Sequence, residues 1–455
     1  MEALARTLYQ RLQQPIPDAG ALDSARAFLH YHLDACEADD SPLPAQLDQL
    51  PAWLDSQHLS VGKAFEQYQL ERQQGAPRRY FSNISHALDF LRRAAPTKLV
   101  DGAWLYGCCE HWNDPRFAPL VRTYLEELGD GLPSQNHVLL YQQLVQRYHC
   151  EDLERLPDSL FVQGALQLAL GALTEEFLPE VVGFNLSYEQ LPLHLLITRQ
   201  ELAELNLDPY YFVLHITIDN ADSGHAIMAC QATQRLVAAA RDPQAFYRRV
   251  RRGAALAERG IGTPDLIRQF DLTEALDHVL AAKAAVGLQL HHAGCRVGSQ
   301  PLKSLLDEGR NDGSALRAAL LREGWLKPGQ EPLQSRFWRL IYPPGAQMYG
   351  VFSLREQQLL LDWLGSGSSL WDSSRPQRDD SSPSPGQHQQ LLQRLAPCAD
   401  RNARMAALVP LLGPSQHSTP LGLLATRAFR AGSMGACPRH WLSRGLSSTQ
   451  RSMVI

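Results

Sequence analysis

Hydrophobic residues recur at steps of three and four along most of the chain, which is the spacing that predicts amphipathic α-helices. The clearest such segments are residues 85–93, 118–128, 138–148, 161–176 and 212–241. Alternation typical of β-strands is scarce, and residues 337–342 are its best short example. The pattern therefore predicts an all-α bundle of about ten to fourteen helices.

The composition changes along the chain and divides it into four parts. Residues 1–75 form a helical, proline-punctuated N-terminal extension. Residues 76–260 hold the strongest helical patterns and the candidate chemistry, and residues 261–364 are expected to form the helical C-terminal part of the core. From residue 365 the chain becomes rich in Ser, Pro and Gly. This composition predicts a linker and a largely disordered tail over 365–455, with one short helix near 389–395.

Charge and hydropathy exclude several classes of protein. The chain of 455 residues is 44% hydrophobic and 20% charged, which favours a packed core over disorder. Its formal net charge of −5 provides no basic field, so neither nucleic acid nor an anionic membrane is expected as a partner. No apolar run approaches the length of a transmembrane helix, and the first residues do not resemble a secretory signal, so a cytoplasmic location is expected.

Several familiar catalytic and metal-binding motifs are missing from the sequence. The eight cysteines form no CxxC pair, which argues against a zinc ribbon or a thioredoxin-like motif. The P-loop, dinucleotide-binding, nucleophile-elbow and HExxH motifs are also absent. Phosphate, dinucleotide and serine-hydrolase chemistry are therefore not expected.

The most informative stretch places two histidines and two aspartates within residues 215–225 of a helical pattern. On an α-helix His215 and Asp219 lie one turn apart on one face, and Asp222 returns to within about 20° of that face. His225 lies about 80° away, unless a kink in the helix re-aims it. Imidazole and carboxylate at this spacing can hold a divalent metal ion from the side of a helix. The alternative is a surface face or a single His–Asp hydrogen bond.

Two further stretches contribute carboxylates and a histidine. Glu127 ends one predicted helix and His137 opens the next, so both lie near one corner and can point into one cavity; the alternative is a capped helix connector. Glu180 and Glu189 are nine residues apart, which places them on opposite faces of a straight helix. Asp101 is a weaker candidate, either an added carboxylate or a helix cap.

Together these side chains offer carboxylate and imidazole groups without a thiolate, a set that suits iron or manganese better than structural zinc. The chain resembles the haem-oxygenase-like iron-containing redox enzymes, also called haem-oxygenase-like di-iron oxidases. The resemblance covers about residues 80–365 and includes these candidate ligands. The resemblance rests on EELGDGLPSQNH (126–137), LPEVVGFNLSYE (178–189), HITIDNADSGH (215–225) and MYGVFSLREQQLLLDWL (348–364). It implies a haem-oxygenase-like helical bundle that carries no haem and holds one or two irons between its core helices.

The resemblance also implies ligand roles for particular residues. Glu127 and His137 match the family's Glu…His pair. Glu180 matches the glutamate of the second helix, with Glu189 as its competitor. Asp101 lies near the position where the family has the glutamate of its first helix.

The stretch at 215–225 departs from the family pattern in one place. His215 and Asp219 match the first two members of the family's His-x3-Asp-x2-His set. Asp222 stands where the family usually has the third member, a histidine, and His225 follows three residues later. Either residue can be the ligand, and the choice between one and two irons stays open.

Several residues near the candidate ligands could support the site. Asn185, Tyr188 and Asn220 are candidates to orient the histidines of a metal site. Trp104, Tyr210 and Tyr211 either form a wall of the substrate pocket or simply pack in the core.

The resemblance implies a non-haem di-iron oxidase or oxygenase, with Fe(II), two per chain, as cofactor and O2 as co-substrate. An amino-acid-like small molecule is the expected substrate, and N-hydroxylation, oxidative decarboxylation or C–C cleavage the expected reaction, in a bacterial pathway of specialised-metabolite biosynthesis. A homodimer is expected at the level of the family. Two alternatives stay open: a metal-free enzyme of the same fold with Cys108, Cys109 or Cys230 as nucleophile, and a non-catalytic helical scaffold.

Overall fold

The computed structural model of the chain describes residues 4–36, 41–218, 224–371 and 383–434. These residues are almost entirely helical, so the predicted all-α class is confirmed. Within the described ranges, no helix is both long enough and apolar enough to cross a bilayer.

The α-helices of the described residues are, in chain order, α1 Ala5–Leu12, α2 Ala19–Asp34, α3 Leu50–Gln73, α4 Ile84–Lys98, α5 Ala118–Glu127, α6 His137–Arg147, α7 Val162–Ala172, α8 Leu178–Tyr188, α9 Leu193–Glu204, α10 Tyr210–Ile218, α11 His225–Ala239, α12 Pro243–Ala257, α13 Thr263–Arg268, α14 Leu272–Leu290, α15 Leu302–Gly309, α16 Gly313–Arg322, α17 Arg336–Ile341, α18 Leu354–Trp363, α19 Pro385–Leu395, α20 Arg401–Leu408 and α21 Pro420–Ser433. Short 3-10 helices cover Leu47–Gln49, Ala103–His111, Gly129–Gly131, Pro133–Gln135, Asp158–Phe161, Pro332–Gln334 and Val409–Leu412. The strands β1 Arg296–Val297 and β2 Gln300–Pro301 form a small antiparallel hairpin in which Val297 faces Gln300.

The helices are shorter and more numerous than the hydrophobic pattern predicts. The helix expected over 212–241 is divided into α10 and α11, because Gly224, the last residue before α11, has an extended backbone. Residues 337–342, the best strand candidate, lie mainly in helix α17 instead. There Phe337, Trp338 and Ile341 are all buried, which is the spacing of one helical face.

Two separate hydrophobic clusters stabilise the described part of the chain. The larger cluster takes side chains from the N-terminal helices, from α4 to α13 and from the last helices of the chain. The smaller cluster lies within residues 276–364 and joins α14 to α18. Residues 261–364 were expected to continue one core, but most of this stretch packs around its own cluster. It is tied to the larger one by contacts such as Asp362 Oδ2, which accepts a hydrogen bond from the backbone N–H of Ser85 at 2.7 Å.

The last described stretch, residues 383–434, differs from the expected disordered tail. It forms α19, α20 and α21, and the short helix predicted near 389–395 is part of α19. Leu391, Met405, Leu408 and Phe429 are buried in the larger cluster. Apolar side chains spaced at helical intervals in this stretch therefore outweigh the low-complexity composition that precedes it.

Helices α8 and α12 cross closely because glycines lie at their contact. A Cβ atom on Gly183 would come within 1.8 Å of the carbonyl oxygen of Val250, and one on Gly253 within 2.3 Å of the carbonyl oxygen of Glu180. No larger side chain fits at either position without separating the helices. The contact fixes α8, and α8 in turn packs against α11, so the ends of both helices are held in the interior.

Candidate metal centre

Two adjoining groups of buried acidic and imidazole side chains lie inside the larger cluster of helices. The first group consists of Asp101, Glu127, His137 and His215, and the second of Glu127, Glu189 and His225. Within each group the potential ligand atoms all lie within 4.8 Å of one another. Glu127 belongs to both groups, so its two carboxylate oxygens can serve two neighbouring ions.

The side chains of the two groups come from the ends of different helices. Glu127 is the last residue of α5, His137 the first of α6 and His225 the first of α11, while Glu189 directly follows α8. Asp101 lies in the connection after α4, next to Gly102 with φ of 80°. A Cβ atom at that glycine would also lie only 3.0 Å from Cβ of Glu127, so the close approach of this connection to α5 requires glycine.

The first group has one histidine with a fixed tautomer. His215 Nδ1 lies 2.8 Å from the carbonyl oxygen of Tyr211, which can only accept a hydrogen bond, so Nδ1 carries the proton. His215 Nε2 then faces the site, 3.1 Å from Asp101 Oδ2. His137 Nδ1 lies 2.5 Å from Glu127 Oε2, and the rings of His137 and His215 are 4.2 Å apart between centroids.

Tyr211 is the closest supporting residue of the first group. Its hydroxyl donates a hydrogen bond of 2.6 Å to Asp101 Oδ2, and its side chain is 2% exposed. Lys98 Nζ lies 3.8 Å from the same oxygen. Burial opposes ionisation of Asp101, but the pKa of this carboxyl is held below its usual value, chiefly by the positive charge of Lys98. Asp101 is therefore a carboxylate, ready to bind a cation.

In the second group His225 lies between carboxylates. Its Nδ1 is 2.9 Å from Glu189 Oε2 and 3.3 Å from Glu127 Oε1. Its Nε2 is 2.9 Å from Glu126 Oε2. Burial favours the neutral imidazole, but the three carboxylates outweigh it and raise the pKa of His225 well above its usual value. In the metal-free protein this histidine holds a proton at the place where a metal ion would bind, and metal binding would release it.

Glu126 is a supporting residue that the sequence pattern did not single out. It accepts from His225 on one oxygen and from Arg122 Nε at 2.8 Å on the other. A histidine that binds a metal through one nitrogen usually donates its other N–H to such a carboxylate, which fixes the ring. The adjacent glutamates Glu126 and Glu127 are visible in the sequence. Which of them is the candidate ligand and which supports His225 follows only from the direction of each side chain in the structure.

The unsatisfied polar atoms of the site fit a bound metal ion. Among the described residues, His137 Nε2 and Glu189 Oε1 are buried and have no hydrogen-bond partner. A buried polar group without a hydrogen-bond partner lowers the stability of the fold by roughly several kcal/mol. A bound ion would supply the missing interactions. Oxygen and imidazole donors without thiolate are the set expected for iron or manganese. The residues present thus fit iron.

The structure brings together five of the residues singled out from the sequence: Glu127, His137, Glu189, His215 and His225. Asp101, the weaker candidate, joins them. Asp219 and Asp222 lie outside the described residues, so their predicted ligand roles stay predictions.

Glu180, the preferred match for the second-helix glutamate, lies away from both groups. Its oxygens accept hydrogen bonds from Arg249 Nε at 2.7 Å and Arg249 Nη2 at 2.6 Å. Between the two alternatives in this helix, the geometry favours Glu189 as the ligand.

The residues proposed to orient the histidines have other partners. Asn185 accepts a hydrogen bond of 2.9 Å from Trp104 Nε1, and Tyr188 accepts one of 3.1 Å from Gln167. Asn220 lies outside the described residues. In their place the structure offers Tyr211 and Glu126 as the partners of the ligand groups.

A cavity of about 460 Å³ opens beside the two groups, and Asp101, Glu127, Glu189 and His215 form part of its lining. Its other walls are largely apolar and aromatic and include Trp53, Trp104, Tyr188, Leu191, Leu195, Ile261 and Leu266. Lys98 and Arg259 also line it, and the Nε atom of Arg259 is buried without a hydrogen-bond partner among the described residues. The cavity thus combines apolar and aromatic walls with polar side chains, two cationic groups and one further carboxylate, Glu258.

Buried carboxylates and imidazoles that converge from several helices could hold a metal ion, as comparable sets of side chains do in helical carboxylate-bridged metal proteins. Residues 88–258 match the model of a family described as iron-containing redox enzymes, and this match confirms the resemblance seen in the sequence. The two groups of ligands, from Asp101 to His225, all lie within the matched residues. The match over this part of the chain supports an oxidoreductase. No curated protein and no solved structure gives a significant match to the chain.

Replacing Tyr211 with phenylalanine is expected to weaken binding of the ion in the first group by about 10–100-fold, because Asp101 loses the donor that orients it. Titration of the metal-free protein with Co(II), followed by absorption, measures this affinity. Tyr247→Phe is the matched control, since the hydroxyl of this tyrosine of α12 donates a hydrogen bond of 2.8 Å to the carbonyl oxygen of Pro44 and belongs to neither ligand group. Equal affinities of the two variants would contradict the role of Tyr211.

Proposed function

We propose that the chain is a non-haem di-iron, O2-dependent oxidase or oxygenase that acts on an amino-acid-derived small molecule. The observation that carries this proposal is the pair of buried ligand groups that share Glu127. A shared carboxylate suits two ions held side by side, whereas a single ion would leave one of the two groups with buried, unsatisfied atoms.

Each ion has its own set of ligands in this proposal. Asp101, His137 and His215 would hold the first ion, Glu189 and His225 would hold the second, and Glu127 is within reach of both. Bound iron supplies the chemistry that the side chains lack, namely the activation of O2.

The protein's own residues prepare the ligand atoms. Tyr211 and Glu126 hold Asp101 and His225 in orientation through hydrogen bonds of 2.6 and 2.9 Å. The helices around the two groups bury all six side chains and so keep bulk water away from them.

The charges at the site favour an anionic substrate. Three carboxylates do not neutralise two divalent ions, and Lys98 adds a positive charge beside Asp101. The carboxylate of an amino-acid-like molecule can therefore pair with Lys98 or Arg259, while its side chain packs against the apolar walls of the cavity. This arrangement directs one end of the substrate to the metal centre, where N-hydroxylation, oxidative decarboxylation or C–C cleavage would take place.

The environments of the cysteines disfavour the metal-free alternative. Burial raises the pKa of Cys108 to about 12 and that of Cys109 well above its usual value, so both stay protonated thiols. Burial also raises the pKa of Cys230. A nucleophilic cysteine needs the opposite shift and access to the substrate, and none of these three lines the cavity of the described residues.

An anaerobic Fe(II) titration of the metal-free protein, followed by optical spectra after mixing with O2, tests the proposal. We expect two irons per chain and a spectral change with O2. His215→Ala and His225→Ala should each lose the ion of their own group, with His111→Ala, a surface histidine paired with Glu175, as control. One iron per wild-type chain would exclude the di-iron centre, and none would exclude the metal-dependent function altogether.

A further inference from the structure

The last helices of the described residues pack against the connection between Glu127 and His137, two of the candidate metal ligands. We call residues 409–434, which comprise a 3-10 helix, the turn after it and α21, the C-terminal clamp. It lies beyond residues 88–258, the part that matches the family model. The clamp packs on residues 128–136, the connection that joins Glu127 at the end of α5 to His137 at the start of α6.

On the side of the first group, the clamp acts through Asn136. This fully buried residue caps α6, because its Oδ1 accepts a hydrogen bond of 2.9 Å from the backbone N–H of Leu139. Its Nδ2 donates to the carbonyl oxygen of Leu128 at 3.2 Å and to His417 Nδ1 at 3.1 Å. Both amide hydrogens are thus used, and the amide has one orientation. Asn136, which is held in place in this way, is followed directly by His137.

Hydrogen bonds to backbone carbonyl groups hold α5 and the same connection against the clamp. Tyr124 donates a hydrogen bond of 2.6 Å to the carbonyl oxygen of Leu412, and Arg427 Nε donates one of 3.0 Å to that of Gly131. A Cβ atom on Gly131 would come within 2.3 Å of the carbonyl oxygen of Leu423, so only glycine allows this approach. These contacts leave residues 128–136 little freedom.

On the side of the second group, a chain of ion pairs reaches the clamp. Arg430 Nη1 lies 3.0 Å from Asp130 Oδ2, and Asp130 pairs with Arg122 at 2.8 Å. Arg122 in turn pairs with Glu126 at 2.8 Å, and Glu126 with His225 at 2.9 Å. The side chain of Arg430 is 43% exposed, so this pair contributes little by itself. The stronger link to the metal centre is therefore the buried one through His417.

We propose that the C-terminal clamp is an integral part of the metal centre and that His417 is a positioning residue for His137. This inference rests on the proposed metal-dependent function. His417 acts through Asn136: its Nδ1 accepts the amide hydrogen, which sets the cap of α6 and thereby the direction of the His137 imidazole in the first turn. A side chain with an acceptor at the same place should preserve the role, and an apolar one should abolish it.

The test compares His417→Leu with His417→Asn in the full-length chain, titrated anaerobically with Co(II) alone. The leucine variant should bind one of its two ions about 10–100-fold more weakly, with a changed Co(II) absorption band, because the support of a ligand is lost. The asparagine variant, whose Oδ1 can replace Nδ1 as acceptor, should resemble the wild type. Met405→Ala, which removes a buried side chain of α20 from the same C-terminal stretch, controls for general loosening.

Hydrogen exchange of residues 129–139 in the metal-free protein provides a readout that needs no metal. Exchange should be faster in His417→Leu than in the wild type and near normal in His417→Asn. The inference is overturned if His417→Leu matches the wild type in both measurements, or if Met405→Ala weakens Co(II) binding as much as His417→Leu does. If the wild type binds no Co(II), the proposed function fails, while the exchange comparison still decides whether His417 positions this connection.

Discussion

Replacement of Glu127 by alanine is expected to remove both metal ions from the protein at once. Glu127 is 4% exposed and is the one side chain common to the two ligand groups among the described residues. Its pKa is held well below the usual value, because His137 and His225 outweigh the effect of burial, so it is a carboxylate before metal binds. Without it, each ion loses an oxygen ligand and the negative charge that offsets the repulsion between the two ions.

The metal content of Glu127→Ala after anaerobic incubation with Fe(II) tests this expectation directly. Glu126→Gln is the matched control: the neighbouring side chain has the same chemistry but contacts only His225 of the ligand set, so its loss should weaken one ion and spare the other. A Glu127→Ala protein that keeps one iron per chain would show that the two groups bind independently. Circular dichroism of the metal-free variant separates loss of ligand from loss of fold.

The largest effect on stability is expected from Glu201→Leu. Glu201 is fully buried in α9 and accepts four hydrogen bonds: from the hydroxyl of Tyr68 at 2.8 Å and from the backbone N–H groups of Arg79, Tyr80 and Phe81 at 2.5, 2.9 and 2.8 Å. Leucine leaves all four donors without this partner. Each buried donor without a partner costs about 1–3 kcal/mol, and some regain water, so we expect a loss of about 3–5 kcal/mol.

Urea unfolding of Glu201→Leu, followed by the midpoint and slope of the transition, measures that loss. Glu204→Gln, one turn further along α9, is the control, because Glu204 pairs with Arg72 at 2.6 Å near the surface. A partly exposed pair of this kind contributes about 1 kcal/mol or less. If both variants unfold at the wild-type midpoint, Glu201 does not hold the connection before α4 in the way described.

The angular argument from the sequence explains the two glutamates of α8 well. Nine residues place Glu180 and Glu189 on opposite faces of a helix, and the structure has one bound to Arg249 and the other beside His225. The family pattern alone favoured Glu180. Helical periodicity is a local property, so the sequence shows that the two glutamates lie on opposite faces. Which of the two is the candidate ligand depends on which face of the helix meets the neighbouring helices, and the sequence does not show that.

Other parts of the site depend on contacts that no local pattern contains. His225 reaches the second group as the first residue of α11, directly after the extended backbone of Gly224, rather than from the middle of one long helix. Asp101 reaches the first group through the left-handed backbone of Gly102. His417 meets Asn136 from 281 positions away. Each is a long-range feature, whereas the helical class follows from the spacing of apolar residues alone.

The packing of residues 409–434 against the connection between α5 and α6 has a consequence for how the protein matures. During synthesis the N-terminal parts of a chain emerge and fold first. All six candidate ligand residues therefore leave the ribosome well before the helices that brace them. Iron uptake is then expected to follow release of the finished chain, and a nascent chain stalled before residue 409 should bury its hydrophobic helices yet hold metal poorly.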